Sequence, residues 1–435
     1  MSTTIKDIMS FVKENDVKFI RLAFCDPFGV HKNISIMSDE LESAFIDGVS
    51  FDASAIDGFA DVAQSDLLLI PDPSTLTVLP WRPYPGRVIR FYCKVTYLDK
   101  TPFEADSRHI LKQALVRASQ MGYACDIGSK CEFYLFKTNE DGEPTKITLD
   151  QGGFFDISPL DKGEDIRREI CLYLEEMGLN PENSHHEKGP GQNEIDFKSS
   201  DALTAADNLL TFKSAVKSIA ERNGLYASFM PKPLLNESGS GLHINLSLYN
   251  RGVNIFKDIE GNKAGRSFVE GVLQKTAEMT LFLNPIINSY ERLGKCEAPT
   301  YVSWSRQNRS HLIRMPIKSE ELSYMELRSP DSSVNPYIAF ALIIHAGLDG
   351  IEQKLELRDA STQNLYIEND TKDLQSIPNT LSKALEVAKA SEFISNYLDE
   401  NMLSKYFDAK EKEILELEKS TGREDFYAQK YFKKI

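Results

Sequence analysis

Four short segments of the chain alternate apolar and polar side chains. In the clearest of them, 242–248, the polar residues His243, Asn245 and Ser247 alternate with aliphatic ones. Because successive side chains of a β-strand point to opposite faces, this segment predicts a strand with one polar and one apolar face. The same pattern recurs at 131–136, 193–198 and 324–328. We expect the four strands to form one sheet whose polar face carries carboxylates, a histidine and arginines.

The N-terminal part of the chain predicts a small β-rich domain. Strands are expected at 17–24, 34–37 and 88–95. The first two are joined by the segment 26–29, Asp-Pro-Phe-Gly, which favours a turn. Capping residues at 104–107 then predict the start of a helix. We place the domain boundary near residue 102, so that the domains are residues 1–102 and 103–435.

The second part predicts a larger domain in which helices and strands are mixed. Helices are expected near 163–177, 202–222 and 265–282 and from about residue 379 onward. The elements show no regular βαβ alternation. The sequence therefore predicts an α+β fold with a largely antiparallel sheet.

Length and composition restrict the functional classes. A chain of 435 residues is long enough for an enzyme, and its net charge of −15 argues against a nucleic-acid partner. No apolar stretch reaches the roughly 20 residues of a membrane helix, and the N-terminus does not resemble a signal peptide, so we expect a cytoplasmic protein without a membrane partner. The six cysteines form no CxxC pair, so we expect neither a disulfide nor a structural zinc.

Several acidic residues are candidates for metal binding. Glu187 and Glu194 flank a Gly-Pro-Gly turn that could bring their carboxylates together. Mg²⁺ and Mn²⁺ prefer such oxygen ligands, although on this segment alone a pair of ordinary surface charges remains an equal alternative. Glu132, His243 and Glu326 are each isolated among apolar residues, where an unpaired polar group is costly. They therefore favour the metal site.

Five arginines form a second set of candidates, at positions 292, 306, 309, 314 and 328. Taken alone, each is more often a surface or ion-paired arginine. Because arginine binds carboxylates and phosphates with two parallel hydrogen bonds, a group of them beside an acidic sheet face suggests a substrate that carries both groups.

The chain resembles glutamine synthetases of the bacterial type I class. The resemblance rests on the ordered segments 51–56, 65–66, 70–72, 185–187, 191–194, 229–233, 239–243, 288–290, 297–299, 308–310 and 326–328. It implies an N-terminal β-grasp domain, a C-terminal catalytic domain with a curved antiparallel sheet, and a homo-oligomer, usually of two stacked hexameric rings. The implied partners are L-glutamate, ammonia and ATP: ATP phosphorylates the γ-carboxylate, and ammonia displaces the phosphate to give glutamine.

The resemblance also implies metal ligands, with Mg²⁺ or Mn²⁺ as the cofactor and ATP as co-substrate. Glu132, Glu187 and Glu194 match the ligands of the metal nearer glutamate. His243 and Glu326 match two ligands of the metal that bridges the ATP phosphates. Such ions neutralise phosphate charge and polarise the transferring group.

The substrate-binding positions are implied in the same way. Arg292, Arg328 and the backbone of Gly239 match residues that hold glutamate. Arg309 and Arg314 match arginines that face the transferring phosphate, and Arg309 is also implied in substrate binding and catalysis.

The remaining implied positions belong to nucleotide and ammonia. Glu182 and Ser247 correspond to nucleotide contacts. Asp52, supplied by a neighbouring subunit, matches the carboxylate that takes a proton from ammonium. Glu297 matches a flap residue that touches substrate and closes the site against water.

Lys130 departs from the pattern, because the family has a glutamate there that binds the second metal. The lysine could replace part of that metal's charge, or it could swing away and leave His243 and Glu326 to hold a more weakly bound metal. It could also impair phosphoryl transfer, or form an ion pair with Glu326. Asn245 and Tyr324 depart at the same side, where a histidine and an arginine are usual. The leading hypothesis is a glutamate–ammonia ligase. The alternatives are a γ-glutamyl ligase for another amine and a non-catalytic protein that binds glutamate or glutamine.

Overall fold

The computed structural model describes residues 4–81, 86–295, 298–316, 323–367 and 374–435. The N-terminal part contains two helices, α1 (Ile5–Glu14) and α2 (Leu41–Ile46). Its strands are β1 (Val17–Cys25), β2 (His31–Met37), β3 (Val49–Asp52), β4 (Asp66–Pro71), β5 (Thr77–Val78) and β6 (Arg87–Thr96). They form a sheet in the order β2-β1-β6-β4-β3, with β5 paired to β6.

The predicted hairpin is present, and its turn contacts the second domain. Strands β1 and β2 pair antiparallel, with Cys25 opposite His31. Asp26 accepts hydrogen bonds from the backbone N–H groups of Phe28 and Val30, which fixes the turn. Gly29 has a φ of +84°, and a Cβ there would lie 3.1 Å from the backbone of Asn335. Glycine is therefore required where the turn meets the second domain.

The second domain begins after β6. Its helices are α3 (Ser107–Gln120), α4 (Glu164–Glu176), α5 (Ala202–Arg222), α6 (Lys263–Leu283), α7 (Pro336–Gln353), α8 (Leu381–Lys389), α9 (Glu392–Tyr397), α10 (Glu400–Glu418) and α11 (Arg423–Tyr427). Its strands are β7 (Tyr123–Thr138), β8 (Pro144–Thr148), β9 (Pro181–His186), β10 (Gln192–Phe197), β11 (Ser200–Asp201), β12 (Leu225–Ser228), β13 (Leu242–Asn250), β14 (Val253–Asn254), β15 (Trp304–Ser305), β16 (Ile313–Arg314) and β17 (Met325–Leu327).

The four polar-faced segments form neighbouring strands of one large sheet, as the sequence predicts. The sheet runs β15-β16-β17-β13-β7-β10-β9 and is antiparallel except between β15 and β16. His243 lies opposite Lys130, and Glu194 lies opposite Glu132. The register therefore aligns the candidate ligands along one face.

The apolar sides of these strands join a core built with the long helices. Leu242, Ile244, Leu246 and Leu248 of β13 are fully buried, and helix α7 is buried along most of its length. The two domains are connected by buried polar contacts: Arg108 of α3 forms ion pairs with Asp72 and with Asp207 of α5. None of the helices in the described part of the chain has the length and apolar character required to cross a membrane.

Candidate active site

Two carboxylates and an imidazole converge on the polar face of the sheet. Glu132 of β7, Glu194 of β10 and His243 of β13 each offer a ligand atom within 4.8 Å of the others. Glu194 also belongs to a second group on the same scale, with His185 and Glu187. We call Glu132, Glu187, Glu194 and Arg292 the amino-acid side of the site.

The electrostatics of these carboxylates favour a bound cation. Burial and the neighbouring charge of Glu187 raise the pKa of Glu132 to about 7. Burial, Asp196 and Glu132 raise the pKa of Glu194 well above its ordinary value. Carboxyl groups that are buried close to one another favour the protonated form, and a cation bound between them favours the ionised form instead. The donor set of carboxylates with a nearby imidazole fits a divalent metal.

Gln192, which was not among the predicted site residues, fixes the position of Glu132. Its side-chain amide donates to Glu132 Oε2 at 3.1 Å and to the Gly239 carbonyl at 3.1 Å. The backbone N–H of Gly241 donates to the same Glu132 oxygen at 2.8 Å. Gln192 stands two residues before Glu194 on β10, so the strand alternation that predicted Glu194 also applied to Gln192.

Arg292 lies beside Glu132, in a space kept open by two glycines. Its guanidinium is 3% exposed and donates from Nη1 to the Ser329 carbonyl at 2.9 Å. A Cβ on Gly241 would lie 2.5 Å from Arg292 Nη2, and one on Gly239 would lie 2.9 Å from Arg292 Cγ. The Gly-Ser-Gly segment therefore allows the close approach of backbone and guanidinium.

Lys130, Arg314 and Glu326 form what we call the phosphate side. Arg314 Nη1 donates to one oxygen of Glu326 at 2.7 Å, and Arg328 Nη1 donates to the other at 2.9 Å. Glu326 is 1% exposed, so both oxygens are committed to arginines inside the protein. His243 Nδ1 lies 3.6 Å from Glu326. Burial and Arg328 lower the pKa of His243, which is therefore a neutral imidazole among cations. This arrangement does not fit a second divalent metal held by His243 and Glu326.

Lys130 is held by carboxylates of β10. It forms an ion pair with Asp196 and lies 3.8 Å from Glu194. Burial lowers the pKa of Lys130, but Asp196 and Glu194 outweigh it, and the net shift is upward. Within the described part of the chain Lys130 forms no ion pair with Glu326, the partner considered from the sequence, although the charge of Glu326 adds to the upward shift of the Lys130 pKa. Asp196 was not predicted as a site residue. The strand alternation indicates that its side chain lies on the polar face of the sheet, but it does not indicate that the side chain pairs with Lys130.

Comparison with known proteins agrees with these features. The glutamine synthetase β-grasp domain matches residues 16–97, and the glutamine synthetase catalytic domain matches residues 104–429. The chain belongs to the glutamine synthetase family. The predicted fold, a β-grasp domain followed by a catalytic domain with a curved, largely antiparallel sheet, is confirmed. The boundary at residue 102 stays a prediction.

Relatives and solved structures of this family cover nearly the whole chain. The glutamine synthetase of Methanosarcina mazei is 45% identical over 94% of both chains. That of Staphylococcus aureus is 41% identical over 98% of this chain and 99% of the relative. Among solved structures, an ADP complex of GmaS has a TM-score of 0.87 at 29% identity, over 98% of this chain and 99% of that one. The Plasmodium falciparum glutamine synthetase has a TM-score of 0.87 at 25% identity, over 98% of each chain.

The other positions implied by the glutamine synthetase resemblance lie in different surroundings. Asp52 is exposed in the β-grasp domain, where it accepts hydrogen bonds from the backbone and hydroxyl of Ser54. Arg309 is exposed, yet its charge contributes to the lowered pKa of His243, which places it near the phosphate side. Glu297 lies outside the described residues.

The two implied nucleotide contacts lie on separate strands. Ser247 is buried on β13 and donates to the Ser323 carbonyl at 3.1 Å. Glu182 is exposed on β9. Asn245 is buried between His243 and Ser247, and its Oδ1 has no hydrogen-bond partner within the described part of the chain. The roles of Glu182 and Ser247 in nucleotide binding stay predictions.

Proposed function

We propose that this chain ligates ammonia to L-glutamate at the expense of ATP. The γ-carboxylate attacks the terminal phosphorus of ATP and releases ADP; ammonia then attacks the acyl carbon and releases phosphate. Members of this family use ATP and a divalent metal. The observation that carries the proposal is the convergence of Glu132, Glu187 and Glu194 beside the buried guanidinium of Arg292.

The metal would be held by Glu132, Glu187 and Glu194. Their hard oxygen donors suit Mg²⁺ or Mn²⁺, and the imidazole of His185, 2.9 Å from Glu187, is compatible with Mn²⁺. Such an ion supplies charge neutralisation and polarises a carboxyl or phosphoryl oxygen. Gln192 and Gly241 orient Glu132 toward it through their hydrogen bonds.

Glutamate would be held by the guanidinium groups next to this cluster. Arg292 and Arg328 are both buried, and the Nε of Arg328 has no partner among the described residues. An unpaired buried donor is costly, so a substrate carboxylate would satisfy it. The Gly239 carbonyl faces the same cluster through Gln192 and would accept from the substrate ammonium group.

On the phosphate side we assign the positive charge to side chains. Lys130, Arg309 and Arg314 all lie near His243 and Glu326. Because Glu326 is occupied by two arginines, these cations would stabilise the charge of the transferring phosphoryl group where relatives of the family bind a second metal. The family resemblance thus predicts two metals, and the contacts of this chain support one.

The ammonia site would be completed by a neighbouring subunit. Asp52 is exposed and lies on the β-grasp domain, as expected of a residue lent to another chain. It would take the proton of ammonium, since only neutral ammonia has a lone pair for attack. The homo-oligomer of two stacked hexameric rings and the cytoplasmic location remain predictions of the same kind.

The decisive experiment measures phosphate release from ATP with glutamate and Mg²⁺ or Mn²⁺, first with ammonium and then with a panel of amines. The proposal expects release with ammonium. Release only with another amine would identify a γ-glutamyl ligase for that amine. No release with any acceptor at high protein concentration would contradict both enzymatic functions. It would favour a glutamate-binding protein, for which the Lys130–Asp196 ion pair is the specific evidence.

A further inference from the structure

A cavity lies between the β-grasp sheet and helix α5, and none of the residues that line it belongs to the site described above. Its volume is about 250 Å³, several times the share of one water molecule, about 30 Å³. Arg21 of β1, His31 of β2 and Arg90 of β6 line one wall, and Lys217 and Ser218 of α5 line the other. The cavity therefore joins the two domains.

The lining contains two cations, Arg90 and Lys217, that no lining carboxylate balances. None of the described lining residues is acidic, and Lys217 Nζ donates to the neutral carbonyl of Lys434 at 3.2 Å. Arg90 is 6% exposed, and its Nη groups donate to the hydroxyls of Tyr92 and Thr77 at 3.2 Å and to Thr211, which are all neutral. A buried cation without a counter-ion is costly.

Three nitrogen atoms of the lining are buried without a hydrogen-bond partner in the described residues. They are Arg90 Nε, Trp81 Nε1 and His31 Nε2. Arg90 and Trp81 are more than nine-tenths buried, and both groups are donors only. His31 Nδ1 lies 2.9 Å from the Ser214 hydroxyl; in the tautomer that accepts this hydroxyl proton, Nε2 is a third donor.

The titration of the lining agrees with an excess of positive charge. Burial and the charges of Arg90 and Arg21 lower the pKa of His31 to about 3, so this imidazole is neutral at pH 7. Burial and Lys213 lower the pKa of Lys217 to about 8. The unpaired donors of Arg90 and Trp81 and the charges of Arg90 and Lys217 around one space are the complement of an oxyanion, which only accepts hydrogen bonds.

We propose that this cavity binds a small oxyanion, either phosphate or a small dicarboxylate, as a ligand site separate from the candidate active site. The anion would accept from Arg90 and Trp81 in the β-grasp domain and pair with Lys217 of α5. It would thereby connect the two domains and stabilise the folded protein by mass action.

Calorimetric titration of the full chain with inorganic phosphate, and in a second arm with succinate, tests the proposal, at constant ionic strength with chloride as reference. Ser218→Asp places a carboxylate in the cavity, and Ser218→Asn is its neutral match of similar size. We expect Ser218→Asp to weaken anion binding at least about tenfold, equivalent to 1.4 kcal/mol, and Ser218→Asn to change it less than about twofold. The arm that binds more tightly identifies the ligand as phosphate or carboxylate.

A second pair keeps the test decisive if Ser218→Asp fails to fold. Lys217→Gln should weaken binding about tenfold, whereas Lys217→Arg should preserve it within about threefold, because only the charge is removed in the first. Phosphate that binds at the candidate active site would survive all four substitutions. Equal affinity in Ser218→Asp and Ser218→Asn, or no binding of either anion to the unsubstituted protein at 10 mM, on the order of the weakest specific affinities, would overturn the proposal.

Discussion

The two sides of the candidate active site differ in how their charges are balanced. On the amino-acid side, burial raises the pKa values of Glu132 and Glu194 even with Arg292 beside Glu132 and Lys130 3.8 Å from Glu194, so part of the negative charge remains uncompensated. On the phosphate side, Glu326 lies between two arginines, and Lys130 is paired with Asp196. One side therefore requires a cation from outside the chain, whereas the other already contains its own.

The largest effect is expected from removing a charge on the amino-acid side. Glu132→Gln keeps an acceptor for Gln192 and Gly241 but removes a carboxylate of the metal site. We expect kcat/KM for glutamine formation to fall by about 10²–10³-fold, the usual loss when one group that stabilises the transition state is removed. Asp165→Asn, an exposed carboxylate on α4, is the control and should leave the rate unchanged. Full activity of Glu132→Gln would contradict the assignment of Glu132 to the metal site.

A smaller and selective effect is expected on the phosphate side. Lys130→Gln removes the charge that we assign to phosphate binding, so KM for ATP should rise about tenfold while KM for glutamate changes less than about twofold. Steady-state kinetics with each substrate varied separately gives both constants.

The control for this change is Lys162→Gln, whose side chain is exposed. Lys130→Glu provides the opposite test, because it restores the residue of the family. A higher kcat in Lys130→Glu would show that the lysine impairs catalysis, and the comparison between the two sides would then fail.

Gly241→Ala should have the opposite selectivity, with an effect on KM for glutamate and little effect on KM for ATP. The added methyl group would lie 2.5 Å from Arg292 Nη2 and would displace the guanidinium, while the N–H donated to Glu132 is retained. We expect KM for glutamate to rise about fivefold, from the loss of about 1 kcal/mol of carboxylate binding, with KM for ATP nearly unchanged. Gly422→Ala, where an added Cβ meets nothing within 4 Å, should leave both constants unchanged.

The pH dependence of stability should also separate the two sides. The pKa of Glu132 in the folded, metal-free protein is about 7, above its ordinary 4.5, so its contribution is present at low pH and is lost as the pH rises through 7. We expect the free energy of unfolding to fall by about 2.5 kcal/mol between pH 5 and pH 8, a factor of roughly 70 in the folded-to-unfolded ratio.

Urea unfolding at each pH measures this difference. Saturating Mg²⁺ should abolish it, and so should Glu132→Gln, because neither leaves an uncompensated carboxylate at position 132. A pH dependence of the same size in Glu132→Gln would assign it to other groups.

Much of this molecule was predictable from local patterns. The alternation in 242–248 predicted β13 and its buried face, and the turn at 26–29 predicted the β1–β2 hairpin. The partners of buried charges were not predictable, because they depend on register between distant strands. Asp196 meets Lys130 only because β10 pairs with β7 in one register, and Arg314 reaches Glu326 across β16 and β17. The cavity beside Arg90 likewise requires the packing of α5 on the β-grasp sheet.

The most direct test of the difference between the two sides is a Mn²⁺ titration of the metal-free protein, with free Mn²⁺ counted by electron paramagnetic resonance. The charge balance described here predicts one tight Mn²⁺ per chain, lost in Glu132→Gln, and any second ion bound about a hundredfold more weakly. Two Mn²⁺ ions of equal, high affinity per chain would show that Glu326 and His243 bind metal despite Lys130 and the arginines, and would contradict the account.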